Sequence, residues 1–241
     1  MIEINLPPVY ELMVLNRPDD GFDEICERAS ELGAGTLVWV NRPDRIELSV
    51  VLEPNMPLMS SRWTFFVGMT ALAGTVASNC SPGMEIYFGW PDTLWLDHSR
   101  IGSGRLGRPA DCCDEDVPPW LVFSARLEEP RRWAIDPDRA EDPQLGEEDT
   151  DRVDHHARLV ETFARNFLRG LNLWEDQGSK SIAECYTARL RPFKSSTGLT
   201  LTESGDLVVE YAASGIIERC DIAPALHSLK WLRPISRAER P

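Results

Sequence analysis

The chain has 241 residues, 42% of them apolar, and its 39 acidic against 25 basic residues give a formal charge of −14. That is enough apolar material for one large domain, or one plus a small appendage, and too much for wholesale disorder. The negative charge repels phosphate backbones and anionic headgroups, so neither nucleic acid nor a membrane is expected as a partner.

The longest apolar candidate, Trp63 to Val76, is shorter than the roughly 18 residues of a membrane span and is interrupted by small and polar residues. The start, with Glu3, Pro7 and Pro8, has neither the basic nor the apolar part of a signal peptide, so a cytoplasmic location is expected. Cys26, Cys80, Cys112, Cys113, Cys185 and Cys220 form no C-x-x-C pair and no zinc spacing with a histidine. Reduced, mostly buried thiols and no metal site are expected, and the adjacent Cys112 and Cys113 are read as structural.

In chain order, an extended run from Val9 to Leu15 leads to a helix with Phe22, Ile25, Cys26, Ala29 and Leu32 at helical spacing, stopped by Gly33 and Gly35. Two β-rich runs, Thr36 to Val40 and Ile46 to Leu52, flank the turn sequence Asn41-Arg-Pro-Asp-Arg45 and predict a short hairpin. Ser60 and Ser61 are expected to cap a helix to about Ala77, with Trp63, Phe66, Val67, Thr70, Ala71 and Gly74 on one face. Strands are predicted at Met84 to Phe88, Thr93 to Leu96, Ile101 to Leu106 and Trp120 to Leu127, with a tight turn at Asp97-His98. Antiparallel strands with helices on one face make an α+β domain.

From Asp136 to Asp154, nine acidic residues, two arginines and two prolines predict a solvated or partly disordered segment. Leu159, Phe163, Phe167, Leu171 and Trp174 mark an amphipathic helix, and a second is expected from Ser181 to Leu190 before Pro192. Leu199 to Thr202, Leu207 to Tyr211 and Ile216 to Cys220 read as short strands. The expected organisation is an α+β domain over residues 1–191 and a small β-domain over 192–241.

The densest constellation runs from Phe88 to Leu106, where Trp90-Pro91 fixes a bend, a hairpin sets Arg100 opposite it, and Gly102 and Gly104 are expected to let a ligand approach the backbone. The pattern resembles the biotin and lipoate protein ligases, whose fingerprint is Lys-Trp-Pro-Asn-Asp, an apolar strand, then Lys-Ile-Ala-Gly. Without a gap, Trp90 and Pro91 fall on Trp-Pro, Asp92 on Asn, Thr93 on Asp, Arg100 on the catalytic lysine, and Gly102-Ser103 on Ala-Gly. Further segments are similar to the bacterial biotin/lipoate A/B protein ligase branch: Leu6-Pro-Pro-Val-Tyr10, Gly35-Thr-Leu-Val-Trp39, Val50-Val-Leu-Glu-Pro54, Val117-Pro-Pro-Trp-Leu-Val122, Asn172-Leu-Trp174 and Gly205-Asp-Leu-Val-Val209.

The resemblance implies a mainly antiparallel sheet with helices packed on it, and Arg100 as the catalytic position. Trp90, Pro91, Asp92, Gly102, Ser103 and Gly104 are implied as ligand-binding residues. It also implies ATP with Mg and biotin or lipoate as cofactors, and a biotinyl or lipoyl carrier domain as partner. Three departures stand beside this. Asn41 to Arg45 leaves no room for the family's Gly-Arg-Gly-Arg-x-Gly loop, Gly89 replaces the lysine before Trp-Pro, and Arg100 replaces the catalytic lysine. The chain's only lysines are Lys180, Lys194 and Lys230.

Arginine grips a carboxylate or phosphate as a planar fork but does not reproduce a lysine's point charge. Two functions therefore stay open: a small-carboxylic-acid binder that transfers an acyl group to a carrier lysine, or a catalytically inert ligase-fold pseudoenzyme that recognises an acylated carrier or another protein. Cys80 and Cys113 are candidate thiols by elimination. Plainer roles also remain: Trp90, Trp95 and Trp120 as core residues, Asp92 as a turn cap, Arg100 and Arg105 as partners of surface acids, His98 as solvated, and His155-His156 as a helix start.

Overall fold

The computed structural model describes residues 4–16, 21–42, 44–128, 149–193 and 196–228. Strand β1 (Glu11–Leu15) is followed by two short helices, α1 (Phe22–Glu27) and α2 (Ala29–Leu32), and by the hairpin of β2 (Thr36–Asn41) and β3 (Arg45–Leu52). A single turn, α3 (Leu58–Ser61), precedes α4 (Trp63–Ala77). Next come β4 (Ile86–Gly89), β5 (Thr93–Leu96), β6 (Ser99–Gly107) and β7 (Leu121–Glu128), then α5 (Asp149–Gln177) and α6 (Ser179–Thr187). The described chain ends with β8 (Gly198–Leu201), β9 (Leu207–Tyr211), β10 (Ile216–Cys220) and α7 (Ile222–Ser228).

Seven strands form one sheet in the order β1-β2-β3-β7-β6-β5-β4, and β10-β9-β8 form a second, antiparallel one. Only the β1–β2 pairing in the large sheet is parallel, because α1 and α2 carry the chain across between those strands. The fold is α+β, as the sequence predicts, with a mixed, mainly antiparallel sheet. At its centre, β3 pairs with β7 from Arg45–Glu128 to Leu52–Leu121.

One face of the sheet meets α4, and α5 and α6 pack on α4 in turn. Phe123 of β7 lies 6.2 and 5.6 Å, centroid to centroid, from Phe163 and Phe167 of α5, and 6.3 Å from Phe65 of α4. A Cβ on Gly68 would come within 2.3 Å of the Phe123 ring, so only glycine lets α4 approach β7 this closely. Leu207, Val209 and Ile222 from the C-terminal unit join the same buried cluster.

Several expectations need correction. Helices cover both faces of the sheet, since Phe22, Ile25 and Ala29 of α1 and α2 pack on Val38, Val51 and Val122 from the other side. The predicted Phe22-to-Leu32 helix is broken at Arg28, whose φ of −98° and ψ of 2° leave the helical region. Ser60 and Ser61 do not cap α4; the Ser61 hydroxyl donates to the carbonyls of Met56 and Pro57, at 2.9 and 3.0 Å. α4 is not one-faced either, because it is buried between sheet and helices on nearly every side. His155 and His156 lie inside α5, which begins at Asp149. The acidic run before Asp149 lies outside the described residues, and α7 had no counterpart in the sequence reading.

Candidate functional site

Side chains alternate along a strand, so one register row shows which residues share a face. Val40, Glu47, Arg126, Ser103, Thr93 and Gly89 are successive cross-strand partners from β2 to β4. The next row holds Val38, Ser49, Ser124 and Arg105, and the one after it Val51, Val122 and Gly107. The face covered by α1 and α2 therefore grades from aliphatic through hydroxyl to ionic.

Each row is satisfied in its own way. The Ser49 and Ser124 hydroxyls are 2.8 Å apart, and Ser124 also donates to the Leu48 carbonyl at 3.1 Å. Arg126 Nη2 donates to Glu47 Oε1 at 2.7 Å, and Arg45 Nε donates to the same carboxylate oxygen. Glu47 and Arg126 are both buried. Ser103 differs: its Oγ is buried, with the residue 1% exposed, and has no hydrogen-bond partner among the described residues.

The Trp-Pro turn joins β4 to β5 behind this face. Trp90 turns toward the helices, 6.1 Å from Phe66 and 6.3 Å from Tyr186. The Tyr186 hydroxyl donates to the Pro91 carbonyl at 2.7 Å, while its ring stacks on Phe88 at 4.6 Å. Tyr186 was not singled out in the sequence. Its only signal there is a tyrosine inside the predicted 181–190 helix, which does not say where that helix docks.

Asp92 follows the turn, and its backbone carbonyl accepts from Gly104 N at 3.0 Å. The Thr93 hydroxyl donates to its carboxylate at 3.1 Å. Burial pushes the Asp92 carboxyl above its ordinary pKa, with Thr93 and the Arg100 charge acting the other way. Burial likewise pushes the Tyr186 phenol well up, and the Asp92 charge adds to this.

Arg100 reaches the Ser103 face through an irregularity. β5 and β6 pair at Leu94–Gly102 and then at Trp95–Arg100, so Ile101 is an extra residue in β6, a bulge. Ile101 goes into the helix-side core, and Arg100 stands opposite Trp95, whose ring stacks on Tyr87 at 6.0 Å. Arg191 lies over the Tyr87 ring at 5.1 Å. Gly102 and Gly104 have a different part. A Cβ at Gly104 would sit 2.6 Å from Met69 Sδ, and one at Gly102 would sit 2.7 Å from the Arg126 carbonyl and 2.8 Å from Leu127 Cδ2. Their missing side chains thus make room on the helix side, not over the Arg100 face.

Arg100, Asp92, Thr93 and Ser103 are thereby brought together. Cys80 and Cys113 are not in these rows, and burial raises the Cys80 thiol pKa, which works against a thiolate. Among the described residues, no group of three or more His, Cys, Asp or Glu converges as a metal site, and no helix is long and apolar enough to cross a membrane.

A model of the biotin/lipoate A/B protein ligase family matches residues 6–188. No curated protein matches the chain. A biotin protein ligase-like protein of unknown function from Silicibacter sp. TM1040 superposes with a TM-score of 0.72 at 20% identity, over 93% of this chain and 99% of that one. The apo biotin protein ligase of Aquifex aeolicus gives a TM-score of 0.60 at 12% identity, over 88% and 95%. The same enzyme in complex with biotin and ATP gives 0.57 at 11%, over 87% and 94%. At these identities the likeness is one of fold.

Proposed function

Because the chain belongs to the biotin/lipoate A/B protein ligase family, we propose that it binds a biotinyl, lipoyl or other acyl substrate over β5 and β6 and delivers the acyl group to a carrier-protein lysine. The observation that carries this reading is the buried Ser103 Oγ, without a partner among the described residues, on the same face as Arg100. A buried hydroxyl without a partner costs free energy that a ligand oxygen could recover. The planar Arg100 fork suits a carboxylate or phosphate, and Asp92 beside it would orient the bound group. ATP would supply activation of the acyl carboxylate as an acyl-adenylate, pyrophosphate leaving then and AMP leaving when the acyl group passes to the lysine, with Arg100 holding phosphate charge. Trp90 and Pro91, fixed by Phe66 and Tyr186, keep that wall in place.

Isothermal titration of the full chain with biotin, lipoate, octanoate, ATP and the corresponding acyl-adenylates tests the reading. Binding of at least one of them, weakened at least tenfold by Arg100→Ala, is expected; silence toward all in folded protein would overturn it. A second reading, the inert recognition protein, is favoured by the short Asn41-to-Arg45 connection and by Glu47 and Arg126 filling the middle of the same face. AMP release with each acid and ATP separates the two, since Arg100-dependent turnover excludes inertness.

A further inference from the structure

At the opposite end of β6 from Arg100, a cavity of about 270 Å³ opens between α1, α3, the Gly107 end of the strand and α7. Its β6 lining, Arg105 to Gly107, lies five to seven residue steps from Arg100, roughly 13–20 Å of strand rise with the bulge allowed for. Its lining combines apolar residues, Phe22, Leu58, Leu106 and Leu226, with three arginines, Arg62, Arg105 and Arg108.

The three arginines are not equivalent. Arg62 is buried and neutralised by Asp114, to which both its terminal nitrogens donate. Arg105 lies over the Phe22 ring, its Cζ 4.0 Å from the centroid. Arg108 is fixed by Nη1 donating to the carbonyls of Pro109 and Cys112, at 3.0 and 2.8 Å, and it forms no ion pair among the described residues. Carbonyl oxygens orient a guanidinium without cancelling its charge. The one acid in the lining, Asp23, is exposed and forms no ion pair with Arg108. In a chain with 14 more acidic than basic residues, an arginine held by backbone carbonyls, without an ion pair among the described residues and in a lining that is largely apolar, is a built feature of the cavity.

We propose that this cavity binds a small amphipathic monoanion, a carboxylate on a compact apolar body, with Arg108 holding the carboxylate and the apolar lining of Phe22, Leu58, Leu106 and Leu226 covering the rest. The volume falls just below the roughly 300–1,000 Å³ of drug-sized sites, which calls for a small ligand. The inference does not rest on the acyl-transfer reading, because its residues lie at the other end of β6.

The probe is benzoate, with benzamide as its uncharged counterpart, titrated into the full chain by calorimetry. Benzoate is expected to bind at one site per chain, and benzamide at least tenfold more weakly. Arg108→Gln should weaken benzoate at least tenfold, and Ala223→Phe, which fills the cavity without touching the cation, should abolish binding even if Arg108→Gln loosens its own loop. Arg100→Ala strikes only the Trp-Pro end. If benzoate fails to bind folded wild-type protein, binds no better than benzamide, or is lost in Arg100→Ala while surviving Ala223→Phe, the cavity is not an anion site, whatever the outcome for acyl ligands.

Discussion

On the side of the large sheet that meets α4, the strands present Leu37, Ile46, Leu48, Val50, Phe123, Ala125 and Leu127, with no charged group among them. On the other side the same strands present Val38 and Val51, then Ser49 and Ser124, then Glu47 and Arg126. The difference teaches that one set of strands can separate the work of cohesion from that of recognition. The first face is held by dispersion and exclusion of water, which reward filling; the second holds polar groups whose worth depends on having partners.

The sharpest test of the first face is Phe123→Ala, which removes a ring touching three others and should cost about 4 kcal/mol in urea unfolding. The second face should respond differently to single and double changes. Glu47→Ala takes the carboxylate from a buried arginine and is expected to cost about 3 kcal/mol, while the double variant Glu47→Met/Arg126→Met returns to within about 1 kcal/mol of wild type or exceeds it. If the double variant is as unstable as the single, the ionic row is cohesive after all and the contrast between the faces collapses.

A smaller effect concerns pH. The Asp92 pKa is raised in the folded chain, so its stabilising contribution is present below about 3.9, the unfolded value, and is lost as pH rises through the folded value. Asp92→Asn should therefore leave stability unchanged in acid and raise it at pH 7, measured by thermal unfolding at the two pH values. The smallest effect on folding is expected at Ser103→Ala, which deletes an unpartnered hydroxyl and should leave stability equal to wild type or up to about 1 kcal/mol higher. Acyl-ligand affinity would fall severalfold in the same variant. A loss of stability instead would mean that Ser103 already has a structural partner.

Much of the strand order was legible, because turn residues and alternation are local. The β2–β3 hairpin and the three C-terminal strands fall where Asn41 to Arg45 and Glu203 to Asp206 place them. What escaped depends on contacts far apart in sequence. Glu47 meets Arg126 across 79 residues through the β3–β7 pairing, and Tyr186 reaches Pro91 across 95. α4 looked one-faced because periodicity cannot reveal a second layer of helices on its outer side. In the candidate site, the Trp-Pro pattern singled out Asp92, Arg100 and Ser103, which share one neighbourhood, and Trp90, which turns to the helices instead. The role of Gly102 and Gly104 was not, since a glycine in a strand does not say which side its missing side chain would have occupied.

The extra residue in β6 has a consequence best put as a matter of counting. In an unbroken strand, positions 100 and 103 would fall on opposite sides; Ile101 shifts the phase by one, so that the guanidinium and the hydroxyl share a side. Closing the bulge while keeping all the residues would restore the ordinary phase and send Arg100 toward the space now held by Ile101, among Phe88, Leu94 and Leu96. Deleting Ile101 would instead leave two steps of regular strand between them and keep the shared side. The spacing and the bulge are thus coupled: a relative with three steps and no bulge would keep the same letters and lose the shared side.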